Sequence, residues 1–275
     1  VFHILHAYGE ENISKEQIED QIRIINEDFQ RKNADASKTR SVFTGRAANF
    51  ELEFKLARIA PDGSCTEGIT RTYDPVNMIE DFNDEDDEAK SSVAAWDRNK
   101  YLNIWIVKEI QSRSEGTILG YAQLPGQRAS TDGIVMIHDR VGSIGSASFS
   151  DKGRTLTHEI GHWLGLYHPF QGVWNGSSVT NGCVGGGDFI DDTPPVAEAS
   201  FGCTAGQNPN TCSSDSPDEP DMVENFMDYA NGSCMNAFTK GQLARVNGYL
   251  SSTNGRSRVV TSSNIIATGV NTTPT

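Results

Sequence analysis

His158-Glu159-Ile160-Gly161-His162-Trp163-Leu164-Gly165-Leu166-Tyr167-His168 is the stretch around which the rest of the chain is organised. On a helix, His158 and His162 stand one turn apart on the same face, where two imidazoles can share a metal ion. Glu159 lies roughly 100° further round, given about 3.6 residues per turn. From there its carboxylate does not join both histidines as a ligand, but it can reach a water beside the metal and exchange a proton with it. Gly165 falls where the helix should end, because glycine accepts the left-handed conformation that a helix C′ position needs. A sharp turn there brings His168 back as a third imidazole. Three protein ligands leave a fourth position open, as in a catalytic rather than a structural zinc site. The alternative is an amphipathic helix with incidental histidines, yet three of the chain's six histidines fall within these eleven residues.

The chain has 275 residues, ample for a buried core. Its 37 acidic residues against 23 basic ones give a formal charge of −14. That balance argues against nucleic-acid binding and for a solvated surface or divalent-cation sites. No apolar run approaches the roughly 18 residues of a membrane span. Val1 opens a strand-like run without the basic start or cleavage site of a signal peptide, as expected of a processed, mature chain.

The pattern up to residue 168 alternates strands and helices. Residues 1–8 (VFHILHAY) read as a strand, with His3 and His6 on opposite faces and both structural. Ser14-Lys15-Glu16-Gln17 reads as a capping box. It opens a helix to about Arg31 on the helical spacing of Ile18, Ile22, Ile25 and Phe29. Residues 49–59 alternate as a strand through Phe50, Leu52, Phe54 and Leu56, and 69–73 are expected to pair back on it as a hairpin. The acidic run 81–88 does not have the spacing of an EF-hand loop and reads as a solvated helix start. Residues 101–110 (YLNIWIVKEI) are the most strand-like run, expected at the centre. Residues 118–124 (ILGYAQL) end at Pro125-Gly126 and suit an edge strand, where a peptide can add as an extra strand. Residues 134–138 complete a mixed sheet, with His138 structural, and the histidine helix begins near Arg154. The expected lobe is α/β in pattern, within a chain that is α+β as a whole.

Beyond His168 the composition changes. Residues 169–235 are rich in Gly, Asn, Asp, Ser, Pro and Cys, without sustained periodicity, and so long a stretch needs a staple. Cys183, Cys203, Cys212 and Cys234 lie here, and two disulfides among them point to an oxidising, extracellular setting. Four cysteines allow three pairings, which the residues alone leave open. Cys65 is left over. A last helix is expected over 239–250, and the tail after Ser251 carries little fold signal.

His-Glu-x-x-His-x-x-Gly-x-x-His is the metzincin form of the zinc signature. Asn225-Phe226-Met227-Asp228-Tyr229, followed by Cys234 and Met235, supplies a methionine turn some sixty residues later. The form of that turn resembles the pappalysin family of secreted metallopeptidases, in the microbial branch typified by ulilysin and mirolysin. Further likeness runs through 65–71 (CTEGITR), 95–97 (AWD), 100–105 (KYLNIW) and 120–122 (GYA).

The resemblance implies a metzincin zincin fold. A mixed sheet and active-site helix (residues 1–168) would stand above an irregular, disulfide-stapled C-terminal lobe (169–275), within one catalytic domain. It implies His158, His162 and His168 as zinc ligands, Glu159 as general base and Met227 as an apolar floor beneath the metal. Tyr229 would stabilise the oxyanion; the alternative for Tyr229 is a buried ring with a satisfied hydroxyl. Protein or peptide substrates would pair with the edge strand at 118–124. Calcium is implied beside Gly187–Pro194, where Asp188, Asp191, Asp192 and Thr193 offer oxygens, against the alternative of a polar turn ended by Pro194-Pro195. The implied disulfides are Cys183–Cys212 and Cys203–Cys234. Ser233 stands where family members that cut before Arg or Lys carry an aspartate, so a broader or more apolar P1′ preference is expected. The expected protein is a secreted, monomeric zinc endopeptidase, freed of an N-terminal pro-segment and without a membrane span.

Overall fold

The computed structural model describes residues 1–82, 87–112, 117–173, 178–184, 187–213, 217–253 and 255–271. The chain forms two compact units. Val1–Ile25, Phe54–Leu164 and Gly248–Thr275 make the first, and Asn26–Glu53 with Gly165–Asn247 make the second.

The first unit is built on a five-stranded sheet in the order β2 (Ile69–Tyr73), β1 (Phe2–His6), β4 (Ile104–Val107), β7 (Ile134–Ile137), β6 (Gly120–Ala122). Its central strands are β1, β4 and β7, and every residue in them is buried. They pair in parallel, and continuous apolar runs such as IWIV and IVMI are what a strand covered on both faces requires. Trp105, Leu5, Val107 and Val135 form the core on one face. The expected edge strand is shorter than 118–124: β6 covers Gly120–Ala122 and is the one antiparallel member, in register Gly120–Met136, Tyr121–Val135 and Ala122–Ile134. Two short strands, β3 (Ile79–Asp81) and β5 (Glu109–Gln111), pair separately.

Helix α1 (Lys15–Phe29) buries Ile18, Ile25 and Phe29. Ser14 Oγ accepts from the Gln17 amide at 3.2 Å. The Gln17 side chain instead donates to the His138 and Val141 carbonyls at 3.3 and 2.9 Å, so half of the expected capping box forms. The acidic run is partly outside the described residues (83–86); the part that is described leads into α3 (Glu88–Ser92).

Three expectations are corrected. Strand β2 (Ile69–Tyr73) pairs in parallel with β1 rather than as a hairpin with 49–59. Residues 49–59 form no strand, only an isolated bridge from Ile59 to Cys65: Glu51 turns at φ = 56°, Phe50 donates to the Phe29 carbonyl, and the Arg58 and Ile59 amides donate to the Thr268 carbonyl. The tail contains a helix, α6 (Ser262–Ala267), capped by the Thr261 hydroxyl.

The second unit has only isolated bridges among its described residues, Ala47 with Thr239 and Asn225 with Ala237. Its helices are α2 (Ser41–Thr44) and the greater part of α5 (Lys240–Ser251). Order comes from an aromatic cluster of Phe29, Phe50, Phe226 and Phe238. Cys183 is bonded to Cys212 and Cys203 to Cys234, with Cα separations of 5.3 and 5.7 Å, while Cys65 is free and exposed. Arg40 donates to both oxygens of the buried Glu224 carboxylate at 2.6 and 2.8 Å.

Candidate active site

Helix α4 (Arg154–Trp163) carries His158, Glu159 and His162. Its first turn is fixed by Asp151, whose carbonyl accepts from the Arg154 amide and whose carboxylate accepts from the Thr155 hydroxyl. Leu156, Ile160 and Trp163 are buried in the first unit. His158 Nε2 and His162 Nε2 lie 3.0 Å apart. The helix closes with the Leu164 amide donating to the Ile160 carbonyl, and Gly165 follows at φ = 95°, the left-handed turn its position required. His168 then returns, so that one ligand atom from each of the three histidines lies within 4.8 Å of the others. Nitrogens bound to one tetrahedral zinc at about 2.0–2.1 Å stand about 3.3 Å apart, so the donor set fits that ion. No other such group of three or more His, Cys, Asp or Glu occurs among the described residues.

The other histidines serve the fold. His3 is fully buried, bonded to Thr70 at 2.8 Å and Asn103 at 3.0 Å, and burial pushes its pKa down to about 4. His6 accepts from the Tyr8 amide at 3.2 Å, and His138 lies within 3.5 Å of the Ser146 hydroxyl.

Glu159 is buried, and burial pushes its carboxyl up to about 8. It runs past Gly120 of the edge strand, where an added Cβ would come within 3.3 Å of Glu159 Cγ and 2.5 Å of Met136 Sδ. A side chain there would displace Met136 and crowd the Val135 carbonyl at 3.0 Å. At the edge itself, the Leu119 carbonyl and Gln123 amide bond inward, to Ile137 and Gly133. Alternation then turns the main-chain groups of Gly120 and Ala122 outward.

In the second unit, residues 225–228 make a tight turn, with the Asp228 amide donating to the Asn225 carbonyl. The Asn225 side chain exchanges hydrogen bonds with Gln242 and accepts from the Met227 amide, and Met227 is fully buried. Tyr229 is 45% exposed, which disfavours the buried-ring alternative. Its ring meets the His168 ring edge-on at 4.9 Å. Phe170 stacks flat on His168 at 4.6 Å and 8°. Ser233 is exposed, 3.8 Å from the Cys203 sulfur.

Around 187–194, Asp188 Oδ2, Asp192 Oδ1 and Thr193 Oγ1 are buried without a hydrogen-bond partner. Burial pushes Asp188 up to about 7, although the Ile190 amide, Arg245 and the neighbouring Thr193 hydroxyl oppose it. Carboxylate and hydroxyl oxygens of this kind are the ligand type that a hard cation takes. Asp191 is exposed.

Three residues escaped the sequence reading. Gly120 carried a usable signal, a glycine inside a strand pattern. Phe170 had none. Arg256 sits in the tail with no pattern around it, yet it donates to the Trp163 carbonyl at the end of α4, to the Gln123 carbonyl and to Asp132.

Comparison with known proteins gives a consistent picture. The profile of the Pregnancy-associated plasma protein-A peptidase family (M43) matches residues 83–251. An extracellular metalloprotease of Neurospora crassa is 39% identical over 158 residues, covering 54% of this chain and 48% of that protein. Extracellular metalloprotease 1 of Coccidioides posadasii is 32% identical over 257 residues, covering 89% of this chain and 73% of its own length. The chain thus spans about half the length of several curated relatives it matches. Mature mirolysin of Tannerella forsythia, solved with a cleaved peptide, superposes with a TM-score of 0.83 at 38% identity, over 99% of this chain and 97% of that one. A promirolysin mutant from the same organism gives 0.82 at 38%, covering all of this chain and 85% of the other.

Proposed function

The chain belongs to the M43 metallopeptidase family, that of pregnancy-associated plasma protein-A, and from that premise we propose that it is a secreted zinc endopeptidase. The observation that carries the reading is the convergence of His158, His162 and His168 beside a buried glutamate. Zinc held by the three imidazoles would supply Lewis acidity, polarising the scissile carbonyl and acidifying a water. Glu159 takes the proton of the attacking water and passes it to the departing amine. Beside a divalent cation its carboxyl ionises more readily than burial alone allows. Tyr229 supports the developing oxyanion through its hydroxyl. Phe170 holds the plane of His168, and Met227 fills the apolar turn before Tyr229. The substrate backbone adds to the outward groups of Gly120 and Ala122 as an extra strand.

The solved structure of mature mirolysin carries a cleaved peptide, which supports a peptide substrate here. The name promirolysin supports a pro-segment ahead of the mature enzyme. The extracellular relatives and the two disulfides support secretion. Among the described residues no helix is long and apolar enough to cross a membrane. Glu159→Ala is expected to keep one zinc per chain and lose nearly all peptide cleavage; retained turnover in the zinc-loaded variant refutes the role of Glu159.

Calcium bound through Asp188, Asp192 and Thr193 would brace this loop, supported by their three orphaned oxygens. Ser233 offers no carboxylate to a basic side chain, so cleavage before apolar or mixed residues is expected. A strong arginine preference at P1′ in a peptide library would contradict it.

A further inference from the structure

The protein is strongly acidic, at −14, yet one cavity is walled by arginines. It measures about 370 Å³, lies within the first unit, and is lined by Arg98, Asn99, Gly126, Thr253, Arg256 and Arg258, with no carboxylate among its described lining residues. Arg256 is committed to the fold. It is buried, paired with the Asp132 carboxylate, and lies over the Trp163 ring at 4.1 Å. Arg98 and Arg258 are not committed in this way. Arg98 donates to the Gln127 carbonyl at 2.8 Å, and neither has a carboxylate partner among the described residues. The acid next in sequence, Asp97, accepts from Asn99 instead. Burial first, and then the nearby Arg98, hold the Arg256 guanidinium below its usual range. The cavity therefore holds more positive charge than Asp132 balances.

Its position gives that charge a use. Arg256 donates to the Gln123 carbonyl at 3.1 Å and Arg98 to the Gln127 carbonyl, so the cavity adjoins the C-terminal end of the edge strand. Glu159 lies against Gly120, at the beginning of the same strand. The six steps from Gly120 to Gly126 span at most about 20–22 Å of chain. A peptide added to β6 advances residue for residue along it.

We propose that this cavity is a remote substrate subsite that takes an aspartate or glutamate side chain about five or six residues from the bond that is cut. The proposal rests on the endopeptidase reading and on strand addition at β6. Guanidinium pairs are suited to carboxylates, and partly solvated pairs of this kind shift affinity modestly.

The test uses peptides with one fixed cleavage site and a single Asp, Ala or Lys placed five or six positions to either side. The native chain is expected to favour Asp over Ala by roughly five-fold in kcat/KM, mostly through KM, and to lose that ratio near 1 M salt. The double variant Arg98→Glu/Arg258→Glu is expected to invert the order, favouring Lys over Asp. The milder Arg98→Gln and Arg258→Gln are each expected to lower the Asp-to-Ala ratio. Equal cleavage of the three peptides, or a preference that charge reversal leaves unaltered, overturns the subsite alone. If none of the peptides, nor an unbiased library, is cut by the zinc-loaded chain, the endopeptidase reading falls and the subsite with it.

Discussion

The sheet-bearing unit and the unit centred on residues 165–247 are ordered by different means. In the first, β1, β4 and β7 are buried along their whole length, and Trp105 and its neighbours fill the space beside them. Burial of periodic apolar residues does the work there. In the second, described residues make isolated bridges rather than sheets, and the aromatic cluster around Phe238 is supplemented by two disulfides, an Arg40 pair to the buried Glu224 and side chains that cap turns. Helix α4, with His158, Glu159 and His162, grows from the first kind of structure; Tyr229 and Met227 stand on the second. On the proposed mechanism, the proton acceptor Glu159 would thus sit on a packed helix, and Tyr229 on a pinned loop.

The contrast is expected to be sharpest in the response to removal of the proposed calcium. Asp188, in the second unit, has a folded pKa of about 7, above the usual 3.8. Its contribution to stability is present below pH 3.8 and is lost as pH rises through 7, by about 4 kcal/mol. At pH 8, chelation of calcium is therefore expected to lower Tm, with calcium restoring it, and Asp188→Asn is expected to abolish most of this response. A Tm indifferent to calcium at pH 8 would remove the cation from the loop.

Breaking the Cys183–Cys212 bond, which closes 29 residues, is expected to cost about 3.5 kcal/mol. Limited proteolysis of Cys183→Ser/Cys212→Ser should nick within 165–247 while the sheet unit resists. Cleavage spread evenly over both units would show that they are not ordered separately.

The acid response belongs to the first unit. His3 has a folded pKa of about 4 against 6.5. Its stabilising effect is complete above pH 6.5 and is lost as pH falls towards 4, by about 3 kcal/mol. His3→Asn, a neutral side chain that can keep one of its two hydrogen bonds, should flatten the stability profile between pH 6.5 and 4 even if it lowers stability at pH 8.

The same division explains what could be read from the sequence. The strands at 104–107 and 134–137 and helix α4 were legible because apolar spacing reports burial directly. Gly165 was legible because only its backbone freedom suits that turn. Residues 49–59 misled because their alternation serves two separate units: Phe50 joins the aromatic cluster, while Leu56 and Ala57 belong to the sheet unit. The place beside β1 goes to β2, a pairing set by tertiary context rather than by local pattern. The disulfide partners could not be chosen from spacing, and only likeness to a family indicated them. Arg256 was invisible because a single buried arginine leaves no periodic trace.

The most direct test of the central claim is digestion of an unbiased peptide library by the purified chain, with its zinc content measured, before and after chelation and after zinc is returned. The account predicts one zinc per chain, cleavage that chelation abolishes, and recovery when zinc is restored. Cleavage that persists in the zinc-free chain, or none from a chain holding one zinc, would contradict it.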